Sequence, residues 1–176
     1  MKLGPTEIAG LHVIDVDEKV DERGSFARTW CADAARALGL RPYFEQASVS
    51  FNRSKGTLRG LHFQVRPHSE TKLVRCTAGA IYDVVVDLRQ ESPTFRQWVA
   101  FELSSANRRS LYIPERCAHG FQTLTDDAEV YYQISPAYRA DSASGVRWND
   151  AAFRIAWPPG PQILSERDRS WPDFTP

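Results

Sequence analysis

A chain of 176 residues is long enough for one domain with a proper core and too short for two comfortable ones. Its 22 basic and 22 acidic side chains cancel, so no overall field recruits nucleic acid or an anionic membrane, and any anion has to be recognised locally. The three cysteines, Cys31, Cys76 and Cys117, form neither a C-x-x-C pair nor a disulfide framework; that suits reduced thiols in a cytoplasmic protein, all three expected to be buried and inert.

The first residues carry no apolar stretch of signal-peptide length, and the most hydrophobic run, Ala80 to Leu88, is broken by Asp83 and Asp87, so neither secretion nor membrane spanning is expected. Residues 8–16 and 25–30 read as short extended pieces on either side of a turn at Asp21-Glu-Arg-Gly24, which would leave Arg23 projecting from a loop. The alanine-rich run from Ala32 to Leu38 predicts a surface helix closed by Gly39. From Phe44 onward strand signals dominate, at 46–51, 57–64, 72–77, 80–88, 98–103, 111–113, 121–124 and 130–134. Turn residues such as Ala78-Gly79, Ser92-Pro93 and Asp126-Asp127 separate them. No helical period intrudes, so the pattern predicts a mostly β fold, a sandwich or barrel whose alternate residues point into one interior. After Tyr138 the chain turns rich in tryptophan and proline, and Ser165-Glu-Arg-Asp168 is an S-x-x-D cap before a short helical turn. Neither a linker nor a repeat divides the chain, which is expected to be one domain over residues 1–176.

Chemistry concentrates in Gly56 to Gln64 and Glu70 to Cys76. His62 sits in an apolar run between the cations Arg59 and Lys72, with Glu70 close by. One imidazole flanked by cations at strand spacing suits a site where a proton leaves carbon and the resulting negative charge is held. Arg59 is expected on the same face of its strand as His62, there to bind a phosphate, or else to pair with Glu70. In Glu129-Val-Tyr-Tyr-Gln133, Tyr131 and Tyr132 must point to opposite faces, so only one of them looks inward. By spacing alone Asp168 is the acid of a helix cap. His12, His68 and Cys76 read as structural, and Asp83 and Asp87 as polar strand positions satisfied by their neighbours.

Several motifs taken together resemble one family. Leu58-Arg-Gly-Leu-His-Phe-Gln64, Lys72-Leu-Val-Arg-Cys76, Gly79-Ala-Ile-Tyr-Asp-Val-Val-Val-Asp-Leu-Arg89, Ser92-Pro-Thr94, Ala118-His-Gly-Phe121, Trp148-Asn-Asp150 and Leu164-Ser-Glu-Arg-Asp168 resemble the dTDP-4-dehydrorhamnose 3,5-epimerases, in order, across a core from about residue 23 to 168. The resemblance implies a cupin-type jelly-roll barrel with a few short helices, a homodimer and no cofactor. It also implies epimerisation beside the ketone of a nucleotide-linked 4-keto-6-deoxy sugar. On the family pattern His62 is the base, Asp168 orients it, Lys72 stabilises the enolate and Tyr132 is the opposing acid. Arg23 and His119 match substrate contacts, and Arg167 matches a phosphate-binding position. Three substrate-binding positions depart from the pattern. Arg28 stands where a glutamate reads the base, Gln46-Ala-Ser48 replaces Gln-x-Asn, and Ala143-Ser144 replaces an acid. Two other readings share the barrel: a metal-dependent cupin using His62, Glu70 and His119, and a non-catalytic sugar-nucleotide binder.

Overall fold

The computed structural model describes residues 1–175. In chain order its elements are β1 (Lys2–Pro5), β2 (His12–Asp15), β3 (Glu18–Asp21), β4 (Gly24–Ala27), α1 (Ala32–Ala37), β5 (Gln46–Asn52), β6 (Leu58–Gln64) and β7 (Thr71–Ala78). They continue with β8 (Ala80–Asp87), β9 (Trp98–Ser104), β10 (Ser110–Ile113), β11 (Cys117–Thr123), β12 (Ala128–Ser135), β13 (Ala143–Gly145) and α2 (Glu166–Arg169). One sheet runs β1-β2-β10-β7-β12-β5 and a second β13-β6-β11-β8-β9, while β3 and β4 form a separate hairpin. The two antiparallel sheets face each other as the sandwich that the strand pattern predicts, in the jelly-roll arrangement that the family resemblance implies.

Alternation decides what lies between the sheets. On β8, Ile81 and Val85 join Val74 and Cys76 of β7, Phe121 of β11 and Val130 of β12 in the inner core. Val84 and Val86, one residue out of phase, belong to an outer cluster with Leu61, Val146 and Phe153. Burying each such aliphatic side chain stabilises the fold by roughly 2 kcal/mol. The outer cluster is covered by the C-terminal tail through Ile155, Trp157 and Phe174. That tail is pinned to the start of β6, where the Ile163 amide donates to Gly56 O (2.9 Å) and the Leu58 amide to Ile163 O (2.9 Å).

Some expectations need correction. β11 begins at Cys117, four residues before the expected start, and all seven of its residues are buried; His119 and Gly120 disguise a strand that has no solvent face to show alternation. β1 was not expected because Gly4 and Pro5 are poor strand formers, yet it pairs with β2 from Lys2↔Asp15 to Pro5↔His12. Cys76 and Cys117 are buried, and burial pushes their thiols up to about 11 and about 12. Cys31 is only half-buried, at the N-cap of α1. There the backbone amides of Ala34 and Asp33 lower its thiol pKa.

β6 and β11 pair with an irregularity. His119 lies opposite His62, but Phe121 lies opposite Arg59, so three residues on β6 span what two span on β11. The extra residue is accommodated where Gly60 (φ +130°) meets Gly120, and a Cβ on Gly60 would lie 2.5 Å from Gly120 Cα. Strict alternation would send residues three apart to opposite faces; this β-bulge puts Arg59 and His62 on one face. Gly60→Ala is therefore expected to lower stability by about 2–3 kcal/mol in urea unfolding. A wild-type midpoint would show that the approach is not tight.

Candidate active site

The inner faces of the two sheets are apolar at one end and polar at the other. The polar end encloses a cavity of about 390 Å³ lined by residues that include Arg59, His62, Lys72, His119, Tyr132 and Asp168. That size falls within the range of small-molecule sites. His62 and His119 come from β6 and β11 in one sheet, whereas Lys72 and Tyr132 come from β7 and β12 in the other. The cavity therefore has a histidine wall facing a lysine and tyrosine wall.

His62 Nε2 lies 2.6 Å from Asp168 Oδ1. Asp168 is 4% exposed, whereas the imidazole is half-exposed to the cavity. The Asp168 backbone amide donates the capping bond to Ser165 Oγ (3.1 Å), leaving the carboxylate free to accept from the Gly60 amide (3.4 Å) and to meet His62. The cap and the imidazole contact thus coexist, one through the backbone and one through the side chain. Burial opposes ionisation of Asp168, but the bonds from His62, Gly60 and Ser165 outweigh it and bring its pKa below the ordinary carboxylate range. Trp171 packs edge-on to the His62 ring at 6.4 Å and lies against Gly145, where a Cβ would meet the indole at 2.4 Å.

Lys72 Nζ donates to Glu70 Oε1 (2.9 Å) and to His62 O (3.0 Å), and both side chains of the ion pair are 8% exposed. A buried ammonium is tolerable because of this pairing. Arg59 does not pair with Glu70; its Nε donates to Asn52 Oδ1 at 2.7 Å. Arg167 stacks its guanidinium over Trp171 at 5.3 Å. Among the described residues neither arginine has a carboxylate partner, so both bring unneutralised positive charge to the cavity. Tyr132 lines the cavity and lies edge-on to His119 at 6.0 Å, while Tyr131 faces the opposite side of the sheet beside Leu73 and Arg75. Burial, and then the charge of Asp83, push the Tyr132 phenol pKa upward.

Ser48 lines the cavity, as do Ala143 and Ser144. Gln46 lies off the lining and accepts from the backbone amide of Tyr138 (2.7 Å), a residue that does line it. Arg23 and Arg28 are not brought to this cavity. Arg23 sits at the exposed turn of the β3–β4 hairpin, ion-paired with Asp21 at 2.5 Å, and Arg28 lies beside Cys31 at 3.8 Å. Two residues important to the site carry no strong sequence signal. Tyr138 is at the head of the irregular tail, and Asp83, expected to be satisfied by its neighbours, is satisfied specifically by His119 of the cavity wall (2.9 Å). Asp87 does fit the structural expectation, bonded by Arg89, Ser92 and Thr94.

A metal would need several of the same groups. Glu70 is taken by Lys72, Gln64 by His68 O and the Arg139 amide, and His119 by Asp83. Among the described residues no three His, Cys, Asp or Glu side chains are grouped to hold an ion. No helix there is long and apolar enough to cross a membrane.

Residues 5–175 match the family described as dTDP-4-dehydrorhamnose 3,5-epimerase. A protein of that name from Shigella flexneri is 40% identical over 169 residues, covering 96% of this chain and 93% of its own. A dTDP-4-dehydrorhamnose 3-epimerase from Streptomyces niveus is 37% identical over 96% of this chain and 82% of its own. The crystal structure of a Bacillus anthracis 3,5-epimerase with TDP and PPi bound superposes with a TM-score of 0.95 at 42% identity, covering 98% of this chain and 99% of that one.

Because the folded pKa of Asp168 is depressed, its stabilisation is present above the unfolded value near 4 and is lost as pH falls through the lower folded value. Asp168→Asn should remove that part of the acid limb in urea midpoints measured against pH. An unchanged limb would mean that the His62 contact stabilises nothing.

Proposed function

The chain belongs to the dTDP-4-dehydrorhamnose 3,5-epimerase family, a sugar-nucleotide isomerase family, and from that premise we propose that it inverts C3, C5 or both beside the ketone of a nucleotide-linked 4-keto-6-deoxy sugar, without a cofactor. The observation that carries this reading is the position of His62 and Tyr132 on facing sheets, across one cavity that also holds Lys72.

A proton α to a ketone is too weakly acidic for an imidazole to remove unless the enolate oxygen is stabilised as it forms. His62 takes that proton, with Asp168 holding the ring and balancing the imidazolium. Lys72, ion-paired with Glu70, offers its remaining donor to the developing enolate oxygen. Inversion requires the new proton to arrive on the other face of the sugar ring, and Tyr132 is on the other wall. Its raised pKa keeps the phenol protonated until a carbanion-like carbon is present to accept. Arg59 and Arg167, whose charges no carboxylate offsets among the described residues, hold the diphosphate. Ser48, Ala143 and Ser144 are small at positions that shape the nucleotide and sugar subsites, so base and sugar identity rest there.

The working unit in this reading is a cytoplasmic homodimer. The β3–β4 hairpin presents Val20 and Phe26 at 76% and 75% exposure, and the edge strand β5 presents Val49 and Phe51 at 57% and 52%. Exposed apolar side chains on an open sheet edge favour a second copy. Arg23 and Arg28 lie off their own chain's cavity, so they reach substrate only if the hairpin serves the cavity of the other copy.

The test follows deuterium from solvent into a panel of nucleotide-linked 4-keto sugars by NMR. Wild type should exchange and invert at C3, C5 or both. His62→Ala should slow exchange at every carbon by roughly 10²–10⁴-fold, whereas Tyr132→Phe should retain exchange and lose inversion. Full activity in both variants would place the chemistry elsewhere, and no exchange with any sugar would favour a binding protein.

A further inference from the structure

Asp83 is fully buried on β8, behind the cavity wall. Both of its carboxylate oxygens approach His119 Nε2, at 3.0 and 2.9 Å. His119, itself 3% exposed, lines the cavity, and with Nε2 committed to Asp83 its Nδ1 is the ring nitrogen left for a ligand. We propose that Asp83 is a positioning residue that holds His119 as a fixed Nδ1–H donor to the cavity. The donor is directed at a substrate oxygen that gains negative charge as the proton leaves carbon; its target rests on the epimerase reading, whereas the state of His119 does not.

The argument is one of proton accounting in a dry place. A buried pair avoids net charge, and two arrangements of Asp83 and His119 are neutral overall. In one, a carboxylate faces an imidazolium. In the other, a carboxylic acid donates to Nε2 and the ring's own hydrogen sits on Nδ1. Both leave a hydrogen on Nδ1. Only a carboxylate beside a neutral ring protonated at Nε2 leaves Nδ1 bare, and that state buries an uncompensated negative charge. The nearby cation, Lys72, cannot neutralise it, because Glu70 already does that for Lys72 at 2.9 Å. The other titratable groups acting on this region, Tyr132 and Cys76, are both pushed toward their protonated neutral forms by burial. Burial raises the Asp83 pKa in turn, against the pull of His119 and Lys72, which disfavours the same bare-Nδ1 state.

The decisive measurement is ¹⁵N and ¹H NMR of the histidine-labelled apo protein at neutral pH, with His119 assigned by its loss in His119→Gln. An N–H signal at Nδ1 is expected, and a bare Nδ1 overturns the proposal whatever the enzyme does. In Asp83→Asn the amide oxygen accepts from an Nε2–H without adding charge, so Nδ1 should move toward its bare form. Its kcat should then fall roughly tenfold to hundredfold, short of the full loss of an oxyanion donor, with KM little changed. Wild-type kcat in Asp83→Asn would remove the catalytic consequence. If that variant does not fold, the wild-type spectrum still decides the state of His119. If wild type inverts no sugar nucleotide, the epimerase reading fails while the spectrum stands independently.

Discussion

Charge matching inside a shared interior is the constraint on which this structure depends. The space between the two sheets holds a dry apolar core and a polar cavity, with little separating them, and a lone charge there would cost several kcal/mol. Glu70 matches Lys72, Asp168 meets His62, and Asp83 meets His119. Glu70 and Lys72 are two residues apart, His119 and Asp83 lie diagonally on the paired strands β11 and β8, and Asp168 reaches His62 from the C-terminal tail; of the six only Asp83 lies off the cavity lining. Arg59 and Arg167, which have no carboxylate partner among the described residues, lie on the same lining. What remains after matching is a local excess of positive charge in a chain whose overall charge is zero, which is how an anionic ligand can be recognised without a basic surface.

Backbone irregularities place these side chains. The approach of Gly60 to Gly120 admits an extra residue into β6 and turns Arg59 to the face of His62. Close packing of Trp171 on Gly145 seats the tail over the same region, and the short helix α2, capped by Ser165, delivers Asp168 to the imidazole. Glycine at positions 60, 120 and 145 is a steric requirement. The tail thus has two functions, covering the outer apolar face of the five-stranded sheet and completing the cavity wall.

Opposed walls give the cavity its chemical asymmetry. Imidazoles stand on one sheet and an ammonium and a phenol on the other, so a ligand between them meets a different group on each side. The residues that would shape its selectivity, Ser48, Ala143 and Ser144, are small and lie on β5 and β13, an edge strand of each sheet. Edge strands can change side chains without disturbing the central pairings, which separates the chemistry from the choice of substrate.

The sequence by itself determined the β-rich architecture, the strands from β5 to β10 within a residue or two, and the helix ended at Gly39, because alternation and turn residues act locally. It also marked the segment around His62, since a histidine and two cations in an apolar strand pattern are legible without any fold. Arg59 was expected on the face of His62, but strict alternation over three residues gives the opposite face, and the bulge at Gly60 is what puts it there. Local pattern could not show that Asp168 meets His62 across 106 residues, or that Asp83 sits behind His119. It also could not show that Arg23 and Arg28 lie away from the cavity of their own chain. Those relations depend on which strands pair, in what register and how closely two backbones can approach, and only the tertiary structure sets them.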